Sequence, residues 1–377
     1  MIVRLDVSVL NENCAFDNLD RLFPLLEDGR HTWCVLQTEE IYSSEWYKSH
    51  ADRWKRRIQT VLDNAKPMVG KNRLLPVIVV GHSVDVIEDF EWCVSPEQAW
   101  NLLRQPLRLV VEDGESDSAF LQALFFRFGE QRLERKLGRD EWSKVKEKWA
   151  EKAGDDCFFK IIHAGGSRVG DIIKTQWGLS PLSLIAVVDS DRRSPSQSHE
   201  MPKQGSTWHF AAEASNNVTP VTLSTREFRP IVFALPRREM ENYLPHESLA
   251  DKYRSNPQKK CVDAYTSIDK NQRYFYDLKR GFRDSLNQPS KQSDDSGERA
   301  NTEVCSLPPS DWAWKDEEQR SLYETLSPDT LKSLCGGLGR NVWQCWEQPG
   351  ASINKTTMNK EAGDELNRLL DTILNCL

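Results

Sequence analysis

Three apolar runs constrain this chain most: LLPVIVVGH at 74–82, LRLVVE at 107–112 and SPLSLIAVVDSD at 180–191. Each is too short to cross a membrane. None alternates polar with apolar residues, so each reads as a strand covered on both faces, as in a parallel sheet with helices above and below. Helical periodicity lies between them, in SSEWYKSHADRWKRRIQTVLDNA, where Trp46, Trp54, Ile58 and Leu62 share a face, and in SRVGDIIKTQWG. The expected class is therefore α/β, with parallel strands joined by right-handed crossovers.

At 377 residues the chain exceeds one ordinary compact domain. MIVRLDVSVL and HTWCVLQTEE read as further strands, so residues 1–95 are expected to form an N-terminal α/β domain. SPEQAWNLLRQ, with Ser95 as N-cap, opens a second domain over 96–283. A charged insertion near 127–156 predicts one or two solvated helices. DSLNQPSKQSDDSGERANTEV is nearly devoid of apolar residues and predicts a flexible linker over 284–304. Residues 305–377 read as a helical extension whose last helix aligns Leu366, Leu369, Leu370, Ile373 and Leu374.

A 38% hydrophobic and 28% charged composition suits a soluble protein. The net charge of −7 means that nucleic-acid binding would need a local basic patch or bridging metal ions. No eighteen-residue apolar stretch and no leader-like N-terminus is seen, so the expectation is cytoplasmic, without a membrane partner. The nine cysteines include no C-x-x-C pair and are read as reduced thiols. Most of the thirteen tryptophans are read as packing anchors, including Trp312, Trp314, Trp343 and Trp346 in the tail.

The chemistry gathers at the strand ends. CFFKIIHAGG supplies a strand between the second and third runs, so parallel crossovers bring Glu112, Gly165, Gly166, Asp189 and Asp191 to one sheet edge. Asp189 and Asp191 flank one residue, and an extended backbone would aim both side chains the same way. Carboxylates converging on one crevice repel unless a cation lies between them, and hard divalent ions prefer oxygen ligands. PIVFALPRREMENYLP adds a short strand and a loop with Glu239 and Glu241. Arg192, Arg193, Arg237 and Arg238 beside these acids are candidate phosphate contacts. His82 and His163 close strands and read as structural hydrogen-bonders. Gly165-Gly166-Ser167 lacks the lysine of an ATP-binding P-loop.

VVEDGESDSAFL followed by IAVVDSD, with a glycine-ended strand between, resembles the Toprim domain shared by topoisomerases, primases and OLD-family nucleases. The resemblance covers roughly residues 105–283 and implies a Rossmann-like parallel sheet flanked by helices. It places Glu112 on the family's first motif and Asp189 and Asp191 on its Asp-x-Asp. The usual first motif is Glu-Gly-x-x-Asp; here Asp113 intervenes, leaving Asp117 or Glu115 as the further ligand. LPRREMENYLP resembles the segment that completes a second metal site in OLD-like nucleases, implying Glu241 with Glu239 as competitor. YDLKRGF implies Lys279 as the lysine near the scissile phosphate.

The resemblance implies a nuclease using two Mg²⁺ or Mn²⁺ ions on DNA or RNA, with DNA favoured. OLD proteins carry an ATPase ahead of the Toprim domain, and no Walker A sequence is present here. A separate ABC- or SMC-type ATPase subunit in a bacterial antiphage complex is the corresponding expectation, with self-association left open. Two other classes stay in view: a non-catalytic Toprim-fold scaffold, and an Asp-x-Asp glycosyltransferase that would leave Glu112 without a role.

Overall fold

The computed structural model describes residues 2–27, 31–34, 38–63, 77–81, 86–88, 91–150, 159–165, 168–179, 183–195, 231–287, 305–347 and 352–376. Their architecture is α/β, with two parallel-dominated sheets flanked by helices. The first contains β1 (Ile2–Leu5), β2 (Thr32–Cys34), β3 (Val77–Val80), β4 (Val86–Glu88) and β5 (Glu91–Val94), in the order β2-β1-β3-β5-β4. Only β4 runs antiparallel.

Around this sheet lie α1 (Phe16–Glu27), α2 (Thr38–Ser43), α3 (Glu45–Ser49), α4 (Asp52–Asp63) and α5 (Pro96–Leu103). Of the strand read across HTWCVLQTEE, Thr32–Cys34 is described as strand and 35–37 lie outside the described residues, while Thr38-Glu39-Glu40 starts a helix, since acids suit a first helical turn. Pro24 lies inside α1 and disguises it in the sequence. An interior proline costs about 3 kcal/mol. Burial of Leu19, Leu22, Phe23 and Leu26, at roughly 1.5–3 kcal/mol each, outweighs it. Ser95 caps α5 through a reciprocal bond with Gln98, as its sequence predicts. Ala99 and Leu103 of that helix join the first core, so α5 packs with the N-terminal sheet and not with the second.

The second sheet contains β6 (Leu107–Val111), β7 (Phe159–His163), β8 (Leu184–Val188) and β9 (Ile231–Ala234), all parallel, in the order β7-β6-β8-β9. Leu109 and Val111 face one core with Ile185 and Val187, while Val110 faces the other with Ala186 and Val188. This period-two partition is why the runs are apolar throughout. The chain passes from β6 to β7 on one flank and then to β8 on the other, creating a switch point at the carboxyl ends of β6 and β8.

Next come α6 (Ser116–Ala123), α7 (Glu130–Leu137), α8 (Arg139–Ala150) and α9 (Val169–Leu179). The charged insertion is helical as far as Ala150, its residues 151–156 lying outside the described residues, but it is not simply solvated. Leu133, Leu137, Trp142 and Val145 bury one stripe of α7 and α8 in the large core. Beyond β9 lie α10 (His246–Lys252), α11 (Lys259–Ser267), α12 (Lys270–Phe275), α13 (Glu317–Tyr323), α14 (Pro328–Leu334) and α15 (Lys355–Cys376).

The tail shares the core of the second sheet. Leu366, Leu370 and Ile373 pack in the same cluster as Val111, Phe120 and Phe125, and Trp346 meets Phe120 edge-on at 5.4 Å. Trp312 and Trp314 surround Phe282 and act as packing anchors. The sequence-predicted linker begins too early: Ser285 and Leu286 are buried, and Leu286 bridges to Trp314, whereas 288–304 fall outside the described residues. Chain reversal also brings Cys305 and Cys335 to a Cα separation of 5.6 Å, where they form a disulfide instead of the expected thiols. Among the described residues no helix is long and apolar enough to cross a membrane.

Candidate active site

Glu112 directly follows β6 and Asp189 directly follows β8, which puts them on either side of the switch point. The Asp189 amide donates to Glu112 Oε1 at 3.2 Å, and the Met240 amide donates to Asp189 Oδ1 at 2.9 Å. Three loops are thereby stitched together. Asp117, on the first turn of α6, is 2% exposed, and its charge acts on Asp189. Its Oδ2 accepts from the Asp113 amide at 2.8 Å and its Oδ1 from the Ser116 hydroxyl at 3.0 Å.

The additional loop residue Asp113 has a definite structural task. Its Oδ1 accepts from the amides of Glu115 and Ser116 at 2.7 and 3.0 Å, satisfying donors at the start of α6. Glu115 remains exposed. Of the two residues considered for the further acid, Asp117 is the one in the cluster.

Glu239 caps, and Glu241 lies in, a 3₁₀ turn at Met240–Tyr243, after β9. Both are buried, at 7% and 1% exposure. Lys279 Nζ approaches Glu241 Oε1 at 3.0 Å and Glu239 Oε2 at 3.9 Å. Asp277, two residues before Lys279, was not anticipated as part of the cluster. It pairs with Arg238 at 2.9 Å and accepts from the Arg280 amide at 2.7 Å. Its signal in the sequence is an acid in the turn that carries Lys279.

Asp191 sits differently from the sequence expectation. The strand stops at Val188, and Asp191 has φ +52°, so the extended backbone needed to aim both aspartates one way is absent. Its amide donates to the Arg238 carbonyl at 3.0 Å, and its charge acts on the Arg238 guanidinium. Left-handed backbone is uncommon outside glycine, although aspartate tolerates it better than most residues.

The electrostatics are dominated by burial of like charges. Burial pushes Asp117 up to about 7, with Glu241 adding to the shift. Burial, then Asp117 and Glu112, raises Asp189 well above the carboxylate range. Burial, then Asp277, pushes Glu239 up to about 8. Burial also raises Glu241, against the opposing charge of Lys279. For Lys279 burial opposes the charge, but Glu239, Glu241 and Asp189 outweigh it and raise its pKa.

Asp117, Asp189, Glu239, Glu241 and Asp277 thus lie against Lys279 or Arg238, with Glu112 beside Asp189. Such a donor set has the chemistry that attracts a hard divalent ion. Glu239 Oε2 is buried without a hydrogen-bond partner, which further fits an additional cation. As the side chains stand, no three His, Cys, Asp or Glu among the described residues converge closely enough to hold one. Lys279 and backbone amides take up the carboxylates instead.

Of the four neighbouring arginines, Arg192 and Arg193 are half-buried and Arg237 and Arg238 are buried. Arg237 and Arg238 are 0% and 5% exposed and engaged inside the protein, so neither serves a flanking phosphate. Arg192 donates to the Pro236 carbonyl at 2.6 Å. His163 is exposed at the same edge, its ring beside Gly114. His82, Gly166 and Ser167 lie outside the described residues.

Comparison with family models, curated proteins and solved structures returned no match.

Proposed function

We propose that the chain is a metal-dependent nuclease, with its second sheet a Toprim domain of the OLD-like kind. The carrying observation is the meeting of Glu112 and Asp189 at the β6–β8 switch point, where open α/β sheets place their ligands. Glu112, Asp117, Asp189 and Glu241 are the residues to hold Mg²⁺ or Mn²⁺, with Asp191 and Glu239 as further carboxylates of a two-metal arrangement. When bound, the metal supplies Lewis acidity and a more acidic water. Lys279 has an ammonium kept charged beside this site and offsets negative charge that builds on the phosphate in the transition state.

DNA is the first substrate to test. By resemblance, the setting is a cytoplasmic antiphage complex with a separate ABC-type ATPase. A second reading has its own support: the Lys279–Glu241 pair and the lack of a converged ligand set among the described residues suit a Toprim-fold scaffold that binds nucleic acid without cutting it. Engagement of Glu112 with Asp189 disfavours the glycosyltransferase reading.

Cleavage of plasmid and single-stranded DNA with Mg²⁺ or Mn²⁺ distinguishes the readings. Asp189→Ala is expected to lose roughly a hundredfold in rate, the scale of removing one preorganised charge-stabilising group. Equal cleavage by wild type and variant removes the proposed site, and DNA binding without cleavage by either selects the scaffold. Co-purification with an ATPase from the native host tests the partner.

A further inference from the structure

Arg237 has no exposed side-chain surface, yet it lies between β9 and the turn carrying Glu239 and Glu241. All five of its N–H groups have partners. Nη1 donates to the Asn242 carbonyl at 2.6 Å and Glu361 Oε1 at 3.0 Å. Nη2 donates to the Glu361 carbonyl at 2.7 Å and the Tyr274 hydroxyl at 3.2 Å, and Nε donates to Glu365 Oε2 at 3.3 Å. The guanidinium also lies 4.6 and 4.1 Å from the ring centres of Tyr243 and Tyr274. This is the full donor capacity of an arginine, spent on joining two distant segments.

The helix it grips is deformed at the point of contact. α15 leaves helical geometry at Ala362, with φ −151° and ψ 30°, directly after the carbonyl that Arg237 takes. In an unbroken helix that carbonyl would accept from residue 365. The kink falls between that carbonyl and Glu365, so Arg237 meets the carbonyl on one side of the break and the Glu365 side chain on the other. A second grip acts on the Lys279 loop: Leu338 and Gly339 donate to the carbonyls of Leu278 and Lys279, at 2.7 and 3.0 Å.

We infer that the C-terminal region is half of the site's scaffold, with Arg237, Glu361 and Glu365 as positioning residues that fix the Glu239–Glu241 turn. Their catalytic consequence rests on the nuclease reading; their mechanical role does not. A packing face needs no charge. Replacing a buried ion pair by well-packed apolar residues is often neutral, so this charged, kinked junction points to orientation more than to stability.

The test compares full-length Glu365→Ala and Glu365→Gln with wild type by hydrogen–deuterium exchange and by DNA cleavage. In Glu365→Ala, amides over 238–244 should exchange at least about tenfold faster while those of β6 stay unchanged. Its kcat should fall by about tenfold or more with KM for DNA unaltered. Glu365→Gln keeps an oxygen acceptor for Arg237 and should recover most of both. Unchanged exchange over 238–244, equal loosening of β6, or wild-type kcat in Glu365→Ala overturns the inference. If Glu365→Ala does not fold, Glu361→Gln is judged by the same criteria. Asp189→Ala separates the two ideas: if it cleaves like wild type, the nuclease reading fails, and the exchange data alone then decide the clamp. If it is inactive while Glu365→Ala matches wild type in both measurements, the clamp fails and the site stands.

Discussion

At pH 6, Asp117 and Glu239 hold protons that exposed carboxyls would have released, because burial pushes them up to about 7 and about 8. Their folded-state pKa values exceed those of the unfolded chain, near 4. Between those values the folded state binds more protons, so stability falls as pH rises. The metal-free protein should therefore lose on the order of 6 kcal/mol between pH 5 and pH 8, roughly half from each group. Urea unfolding in chelator should reveal that slope, Asp117→Asn should remove roughly half of it, and a stability independent of pH over that window would contradict it. Lys279→Met leaves Glu241 buried without its cation and should cost about 3 kcal/mol at pH 8, recovered in part by Mn²⁺. Glu112 and Asp189 were legible because an apolar run followed by an acid marks a strand end. The period-two argument for Asp191 failed because the chain turns left-handed there. The Arg238–Asp277 pair was illegible because 39 residues separate its members and only the fold unites them.

Between elements, the closest contact at the site is made by backbone. Gly281, at φ +65°, would place a Cβ 2.3 Å from the carbonyl oxygens of Leu334 and Cys335, just past the Lys279 turn. Gly281→Ala should lower stability by about 3 kcal/mol, combining left-handed strain with a collision against main chain, and should disturb Lys279 first. Thermal unfolding measures the loss, and a change below about 0.5 kcal/mol would mean that the two loops do not meet this way. Among the helices, the apolar stripe at Leu366, Leu369, Leu370 and Ile373 identified α15 correctly, and these residues are buried. Nothing in that stripe announced the break at Ala362. A kink supported by an arginine more than a hundred residues away leaves periodicity intact on both sides.

Across the molecule, the first core draws its described buried residues from positions 3–103, whereas the second combines the β6–β9 sheet with the tail. A fragment of residues 1–104 should unfold cooperatively on its own. The chain cut after residue 304 should fail to hold the second sheet, since Leu366, Leu370 and Ile373 leave an open apolar face behind. Circular dichroism melts of both fragments check this, and a cooperative melt of residues 105–304 would refute the shared core. Length announced two units and unbroken apolar runs announced their sheets, but assigning the tail required contacts that no local pattern encodes.

The strand order β2-β1-β3 of the first sheet repeats β7-β6-β8 of the second. Asp6 directly follows β1 as Glu112 follows β6, yet it bends back to accept from the amide and hydroxyl of Ser8, at 2.8 and 2.5 Å. Gly81 follows β3 where Asp189 follows β8. Among the described residues the chain therefore carries the same strand order twice, with Glu112 and Asp189 at the ends of β6 and β8 and with Asp6 and Gly81 at the corresponding positions of the first sheet. The first sheet is an internal reference for the second: line broadening by paramagnetic Mn²⁺ at one edge and not at the other would separate what the acids contribute from what the topology alone provides.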